Sequence, residues 1–137
     1  MSTQWAAQFL VASELERHDY TVCFTMGNHT PVADLMVGHQ NGEQFWVDVK
    51  GIVGKNSWWG KPKNARSNLF YVLVSLGEQR PQDRFFILAQ AEFNDLVTRY
   101  QNEHPAQKKV GGFAWTFAHP YEDCWGKLPG WEERNSN

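Results

Sequence analysis

The sequence predicts a single α/β domain, and three observations carry that expectation. Runs of β-branched and aromatic residues recur at positions 20–24, 32–37, 45–49, 69–74 and 84–88, the composition and length of strands. Two other segments, 3–18 and 91–101, carry apolar residues at helical spacing. An Asn41-Gly42 pair separates two of the apolar runs, which is the strongest short-range signal for a hairpin.

Taken in order, Ser2 or Thr3 caps the first helix, and Trp5, Phe9, Ala12 and Leu15 are expected on its buried face. Asp19 ends that pattern before the strand at 20–24, and residues 27–31 are turn chemistry. The hairpin of 32–37 and 45–49 follows. Residues 51–67, rich in Gly, Lys, Asn and Trp without periodicity, read as an ordered loop. The apolar run 69–74 is a buried strand, and 84–88 returns as another after the turn at 77–83. Phe93, Leu96, Val97 and Tyr100 share one face of the second helix. Beyond Pro105, a last strand is expected at 113–117, a short helix or irregular cap at 121–128, and a frayed end at 132–137. No internal repeat or linker divides residues 1–137.

The 137 residues suffice for one domain with a real core. At 42% hydrophobic and 20% charged, the composition is that of a globular protein and excludes wholesale disorder. Seven Trp and nine Phe read first as core, with ligand contact as the alternative. Cys23 and Cys124 have no metal-ligand spacing and read as reduced thiols. No signal peptide or membrane-length apolar stretch is evident, so a soluble, cytoplasmic protein is expected. The net charge of −2 excludes a global basic field, yet residues 49–77 contain no Asp or Glu while holding Lys50, Lys55, Lys61, Lys63 and Arg66.

Hairpin register decides which side chains meet, because strand residues alternate between faces. With a two-residue Asn41-Gly42 turn, Asp34 lies opposite Val49, and charged and apolar residues mix on both faces. With a three-residue Gln40-Asn41-Gly42 loop, Asp34 lies opposite Asp48, Leu35 opposite Val47 and Val37 opposite Phe45. One face then collects Ala33, Leu35, Val37, Phe45, Val47 and Val49, and the other Val32, Asp34, Met36, Trp46, Asp48 and Lys50. The second register is expected, since the first buries charges without partners. Two facing carboxylates repel unless a cation joins them or one takes a proton. Mg²⁺ accepts an all-oxygen set of this kind. The competing reading is a buried Asp–Lys ion pair with Asp34 hydrogen-bonded nearby, an arrangement that adds little net stability.

The order helix, strand, Asp-bearing strand, hairpin and strand ending in Asp-x-Lys, carried by PVADLMVGHQNGEQFWVDVKG, resembles the PD-(D/E)XK nuclease superfamily. The first helix followed by HDYTV is similar to the corresponding elements of small restriction-like and resolvase-like members. NLFYVLVSL, RFFILAQAEF and the aromatic-rich tail resemble single-domain members associated with restriction. The resemblance implies a restriction-endonuclease-like mixed central sheet flanked by helices, and a metal-dependent endonuclease that hydrolyses DNA phosphodiesters in restriction, defence or repair. It assigns Asp34 and Asp48 to Mg²⁺ or Mn²⁺ and Lys50 to activating or orienting the attacking water. The Val49 carbonyl is a further candidate ligand. Ala33 stands where the superfamily's name has Pro. Gln8 stands where many members carry a first-helix Glu, four residues before an Ala matching Ala12. A helix usually follows the Lys strand, where this chain has its Gly- and Lys-rich loop.

In that loop, Lys55, Lys61, Lys63 and Arg66 are candidate phosphate contacts, and Trp58 and Trp59 candidate base-stacking or groove-wedging rings. The alternative is a solvated loop whose tryptophans pack on the sheet. DNA is the expected partner, with a homodimer or a larger restriction or defence assembly beside it. A nuclease-fold module without chemistry, binding nucleic acid or a protein, is the alternative function. The five histidines share no metal spacing, although His29 precedes the Asp34 strand closely enough to approach the site.

Overall fold

The computed structural model describes residues 2–26, 33–107 and 111–131. The turn expected at 27–31, with His29, the Val32 position and the tail at 132–137 lie outside the described residues. The chain is α/β: helix α1 (Thr3–Arg17), strands β1 (Tyr20–Phe24), β2 (Leu35–His39), β3 (Gln44–Val53), β4 (Leu69–Leu76) and β5 (Arg84–Ala89), then helix α2 (Gln90–Glu103). Short 3₁₀ turns occupy Arg80–Gln82, Pro105–Gln107, Trp115–Tyr121 and Trp125–Lys127.

The five strands form one mixed sheet in the order β1-β2-β3-β4-β5. β3 and β4 run parallel, whereas β1 with β2, β2 with β3 and β4 with β5 are antiparallel. All of β4 is buried, as befits a strand covered on both faces. Its connection from β3, usually made by a helix in parallel pairs, is here an irregular crossover over residues 54–68.

The hairpin takes the three-residue loop. Leu35 pairs with Val47 and Val37 with Phe45. The His39 N–H donates to the Glu43 carbonyl at 2.8 Å and the Gly42 N–H to the His39 carbonyl at 2.9 Å. Gly42 adopts φ 92°, the left-handed conformation such loops require of their last residue.

Each face of the sheet carries its own core. On one, Ala7, Val11 and Leu15 of α1 pack over Leu35, Val37, Phe45, Val47 and Val49, with Val72 and Val74 beside them. On the other, Phe93, Leu96 and Val97 of α2 join Tyr71, Leu73, Phe86, Leu88, Trp58 and Phe113. Ala33, expected with Leu35, belongs instead to this second cluster.

Two sequence expectations fail for identifiable reasons. Ala12 and Leu15 are buried as expected, but Trp5 and Phe9 are exposed at 37% and 59%, and α1 buries Ala7, Gln8 and Val11 in their place. The helix lies too close to the sheet for rings to fit between: a Cβ on Gly51 would stand 2.7 Å from the Ala7 Cβ and 3.0 Å from the Thr3 carbonyl oxygen. The strand expected at 113–117 reduces to one bridge between Phe113 and Trp58, after which Trp115–Tyr121 winds as a 3₁₀ turn. A strand would point Trp115 and Phe117 the same way. The turn instead sends Trp115 edge-on to Phe86 of β5 and Phe117 edge-on to Tyr100 of α2.

Among the described residues no helix is long and apolar enough to cross a membrane. Cys23 and Cys124 are both free thiols. Gly51→Val should push α1 off β3 and lower stability by about 1–3 kcal/mol, the range for overpacking. Thermal melting checks this, and an unchanged melting temperature would mean that the close approach is not constraining.

Candidate functional site

Strand β3 spans 10 residues and β2 only five, so the second half of β3 extends beyond its neighbour. Among the described residues, the backbone groups of Val49 and Gly51 on the β2 side have no strand to pair with. Two side chains take over. The Asp34 Oδ2 atom accepts from the Val49 N–H at 2.8 Å. Gln4, in the first turn of α1, donates from Nε2 to the Val49 carbonyl at 2.6 Å and accepts the Gly51 N–H on Oε1 at 3.3 Å. Its Nε2 also lies 3.5 Å from Asp34 Oδ2.

Asp34 sits one step beyond the last hairpin pair and is held by its backbone on both sides. Its N–H donates to the Val47 carbonyl at 3.2 Å, and its carbonyl accepts from the Thr25 N–H at 3.0 Å and the Thr25 hydroxyl at 3.1 Å. The register places Asp34 opposite Asp48, whose charge acts on the Asp34 carboxyl. Burial pushes the Asp34 carboxyl up to about 6, opposed by the Val49 N–H and reinforced by the neighbouring Asp48 charge, with Lys50 pulling the other way.

Asp48 is buried, and the Lys50 ammonium lies 3.5 Å from its Oδ1. Tyr71 pairs with Asp48 across the parallel strands. Its ring lies 5.9 Å from the Lys50 Nζ and stacks on Phe93 at 4.0 Å between centroids. Burial, then the charges of Asp48 and Asp34, raise the Tyr71 hydroxyl well above the ordinary phenol range. The site is thus a pair of acids and one amine over an aromatic floor.

Asp34, Asp48 and Lys50, proposed from the hairpin register, come together here. Gln8 does not join them by hydrogen bonding: it is buried one turn further along α1 and bonds to neither carboxylate. The first-helix residue that reaches the site is Gln4. The Val49 carbonyl, a candidate ligand, already accepts from Gln4. Sequence reasoning missed both Gln4 and Tyr71. Gln4 left a signal, since it continues the Ala7, Val11, Leu15 stripe as its one polar member. Tyr71 left none, because its place beside Asp48 depends on β3 and β4 being parallel neighbours.

The crossover separates its two tryptophans. Trp58 is 1% exposed, edge-on to Phe86, with its indole N–H donating to the Trp115 carbonyl at 3.3 Å; it has no face free to stack on a base. Trp59 is 61% exposed. Lys61, Lys63 and Arg66 are exposed, and Lys55 extends over the Trp115 ring at 5.4 Å.

The donor set suits a hard divalent ion in part. Two carboxylates with only one ammonium between them leave net negative charge in a desolvated place, visible in the raised Asp34 carboxyl. Among the described residues no cluster of three His, Cys, Asp or Glu side chains forms, so the charged donors that these residues bring here are the two carboxylates. Mg²⁺ keeps much of its water and is commonly bound through one or two carboxylates.

Comparisons with protein-family models, curated proteins and solved structures yielded no match. The fold and site therefore define an α/β protein with a five-stranded mixed sheet and paired acids at the open end of its hairpin.

A raised carboxyl makes a testable demand on stability. Without metal, the folded state favours protonated Asp34, so the penalty is absent below pH 4 and grows to its full size above about pH 6. Allowing for its partial exposure, the penalty is at most about 2 kcal/mol. Asp34→Asn, which still accepts from the Val49 N–H, should be more stable than wild type in EDTA at pH 7 and equal to it at pH 4. Urea unfolding at the two pH values checks this; equal stability at both would show that the carboxyl is not strained.

Proposed function

We propose that this chain is a metal-dependent endonuclease that hydrolyses phosphodiester bonds of DNA on a restriction-endonuclease-like scaffold, serving restriction, defence or repair. The observation that carries the reading is the meeting of Asp34 and Asp48 beyond the end of β2, with the Lys50 ammonium 3.5 Å from Asp48. Phosphodiester hydrolysis needs an aligned water and neutralisation of charge on the phosphate. Bound Mg²⁺ or Mn²⁺ supplies Lewis acidity and a more acidic water. Asp34 and Asp48 would hold the ion, their orientation prepared in advance by the Val49 N–H and by the Lys50 pair. Lys50, half-buried and on the Asp48 face of β3, orients water and offers positive charge to the phosphate. Tyr71 and Phe93 form a packed floor that excludes bulk water from beneath the carboxylates. Release of the Val49 carbonyl from Gln4 would add a neutral oxygen to the set.

A second reading, a nuclease-fold module that binds nucleic acid or a protein without cutting, is favoured by Gln4. α1 brings an amide rather than a carboxylate to the site, and that amide occupies the Val49 carbonyl.

Wild type, Asp48→Ala and Lys50→Ala, incubated with supercoiled plasmid and single-stranded circular DNA in Mg²⁺ or Mn²⁺, separate the two. Wild type should nick or linearise DNA, Lys50→Ala should be slower by about 10²–10³-fold, and Asp48→Ala should be inert. Titration calorimetry with Mn²⁺ should give binding by wild type and Lys50→Ala and none by Asp48→Ala. Mn²⁺ binding without cleavage would favour the silent module, and absence of both would sink the metal site.

A further inference from the structure

The crossover from β3 to β4 is a strap of irregular backbone, yet it is firmly anchored. At its start, the Trp58 N–H donates to the Phe113 carbonyl at 2.9 Å, the Phe113 N–H to the Trp58 carbonyl at 3.1 Å, and the Gly112 N–H to the Gly60 carbonyl at 2.7 Å. Further along, two side chains of α2 hold it. Asn94 accepts the Lys63 N–H at 3.3 Å and donates to the Lys63 carbonyl at 2.8 Å. Gln90, 1% exposed, donates to the Asn64 carbonyl at 3.1 Å and accepts the Arg66 N–H. Side-chain amides spent on loop backbone in this way keep the strap in one path.

What this anchored path displays is one indole and three cations. Trp59 is 61% exposed although its neighbour Trp58 is buried. Lys61, Lys63 and Arg66 are exposed, and among the described residues none of them makes an ion pair. The strap borders the site: a Cβ at Gly60 would lie 3.8 Å from Lys50 Cε. The strap therefore passes beside the residue to which the proposed function gives the scissile phosphate, and Trp59 is the position just before Gly60 on it.

We propose that the strap from Trp59 to Arg66 is a track for an unpaired DNA strand, with the Trp59 indole stacking on a base next to the phosphate at Lys50 and the three cations following the backbone. The inference deepens the nuclease reading and depends on it only for where the cut falls. A flat ring beside unpaired cations fits single-stranded nucleic acid, in which stacking and phosphate contact work together. Inside a duplex both faces of each base are already stacked, so the indole would gain a partner only by breaking one. An acidic peptide would satisfy the cations and leave the indole in water.

The test measures binding in EDTA, where no cleavage occurs, by fluorescence anisotropy of labelled oligothymidine and of a blunt duplex of equal length. Wild type should bind the single strand at least about 10-fold more tightly than the duplex. Trp59→Ala should weaken single-strand binding by about 10-fold and Trp59→Phe far less, since a phenyl ring still stacks. The double variant Lys61→Ala/Lys63→Ala should reduce the salt dependence of binding. Equal affinity for the two DNA forms, an unaffected Trp59→Ala, or equal competition by polyglutamate would overturn the track. A protein that cuts DNA without strand preference loses this inference and keeps its reaction centre. One that prefers single strands but never cuts keeps the track and loses the nuclease reading.

Discussion

The unequal length of β2 and β3 governs the rest of this molecule. A sheet edge that continues past its neighbour exposes backbone N–H and C=O groups, and these must find partners when buried. Here the partners are side chains from two other elements: Asp34 at the entrance of β2 and Gln4 in the first turn of α1. A carboxylate is thereby held against the backbone of β3 and beside a second carboxylate on the same strand. The polar cluster thus follows from the way the sheet ends.

Helix α1 can take part because Gly51 lets it come close. The small Ala7 and the absent side chain of Gly51 bring the first turn down onto β3, which puts the Gln4 amide within reach of Val49 and Gly51. On the opposite face, α2 and the crossover fulfil a matching role. Phe93 stacks under Tyr71, and Gln90 and Asn94 bind the strap above. The heavy aromatic content is divided accordingly: most rings fill the two cores, while Trp5, Phe9 and Trp59 remain exposed.

Much of the fold was legible in local pattern. Both helices and all five strands follow from periodicity and composition, with ends displaced by a few residues; β3 runs on to Val53 because its residues through Ile52 and Val53 still pair with β4. The hairpin was legible in detail, because only one loop length separates the apolar from the charged side chains and Gly42 can adopt the conformation that length needs. Asp34, Asp48 and Lys50 could be grouped for that reason. The face of α1 was misread through its large rings, whereas depth of burial was set by how near the helix comes to the sheet. The same limit applies to Trp58 and Trp59, adjacent and identical in type, yet opposite in exposure.

The sequence by itself determined both helices, the five strands of the sheet, the register of β2 against β3 and hence the meeting of two acids and an amine. These depend on residues within about one hairpin of each other, where alternation and turn chemistry leave few choices. Tertiary structure alone decided that β4 lies parallel to β3, that Gln4 rather than Gln8 closes the strand edge, that Tyr71 floors the site, and that Trp59 faces outward. Each of those outcomes depends on contact between segments distant in the chain. Periodicity says which side of an element is apolar and is blind to what it meets.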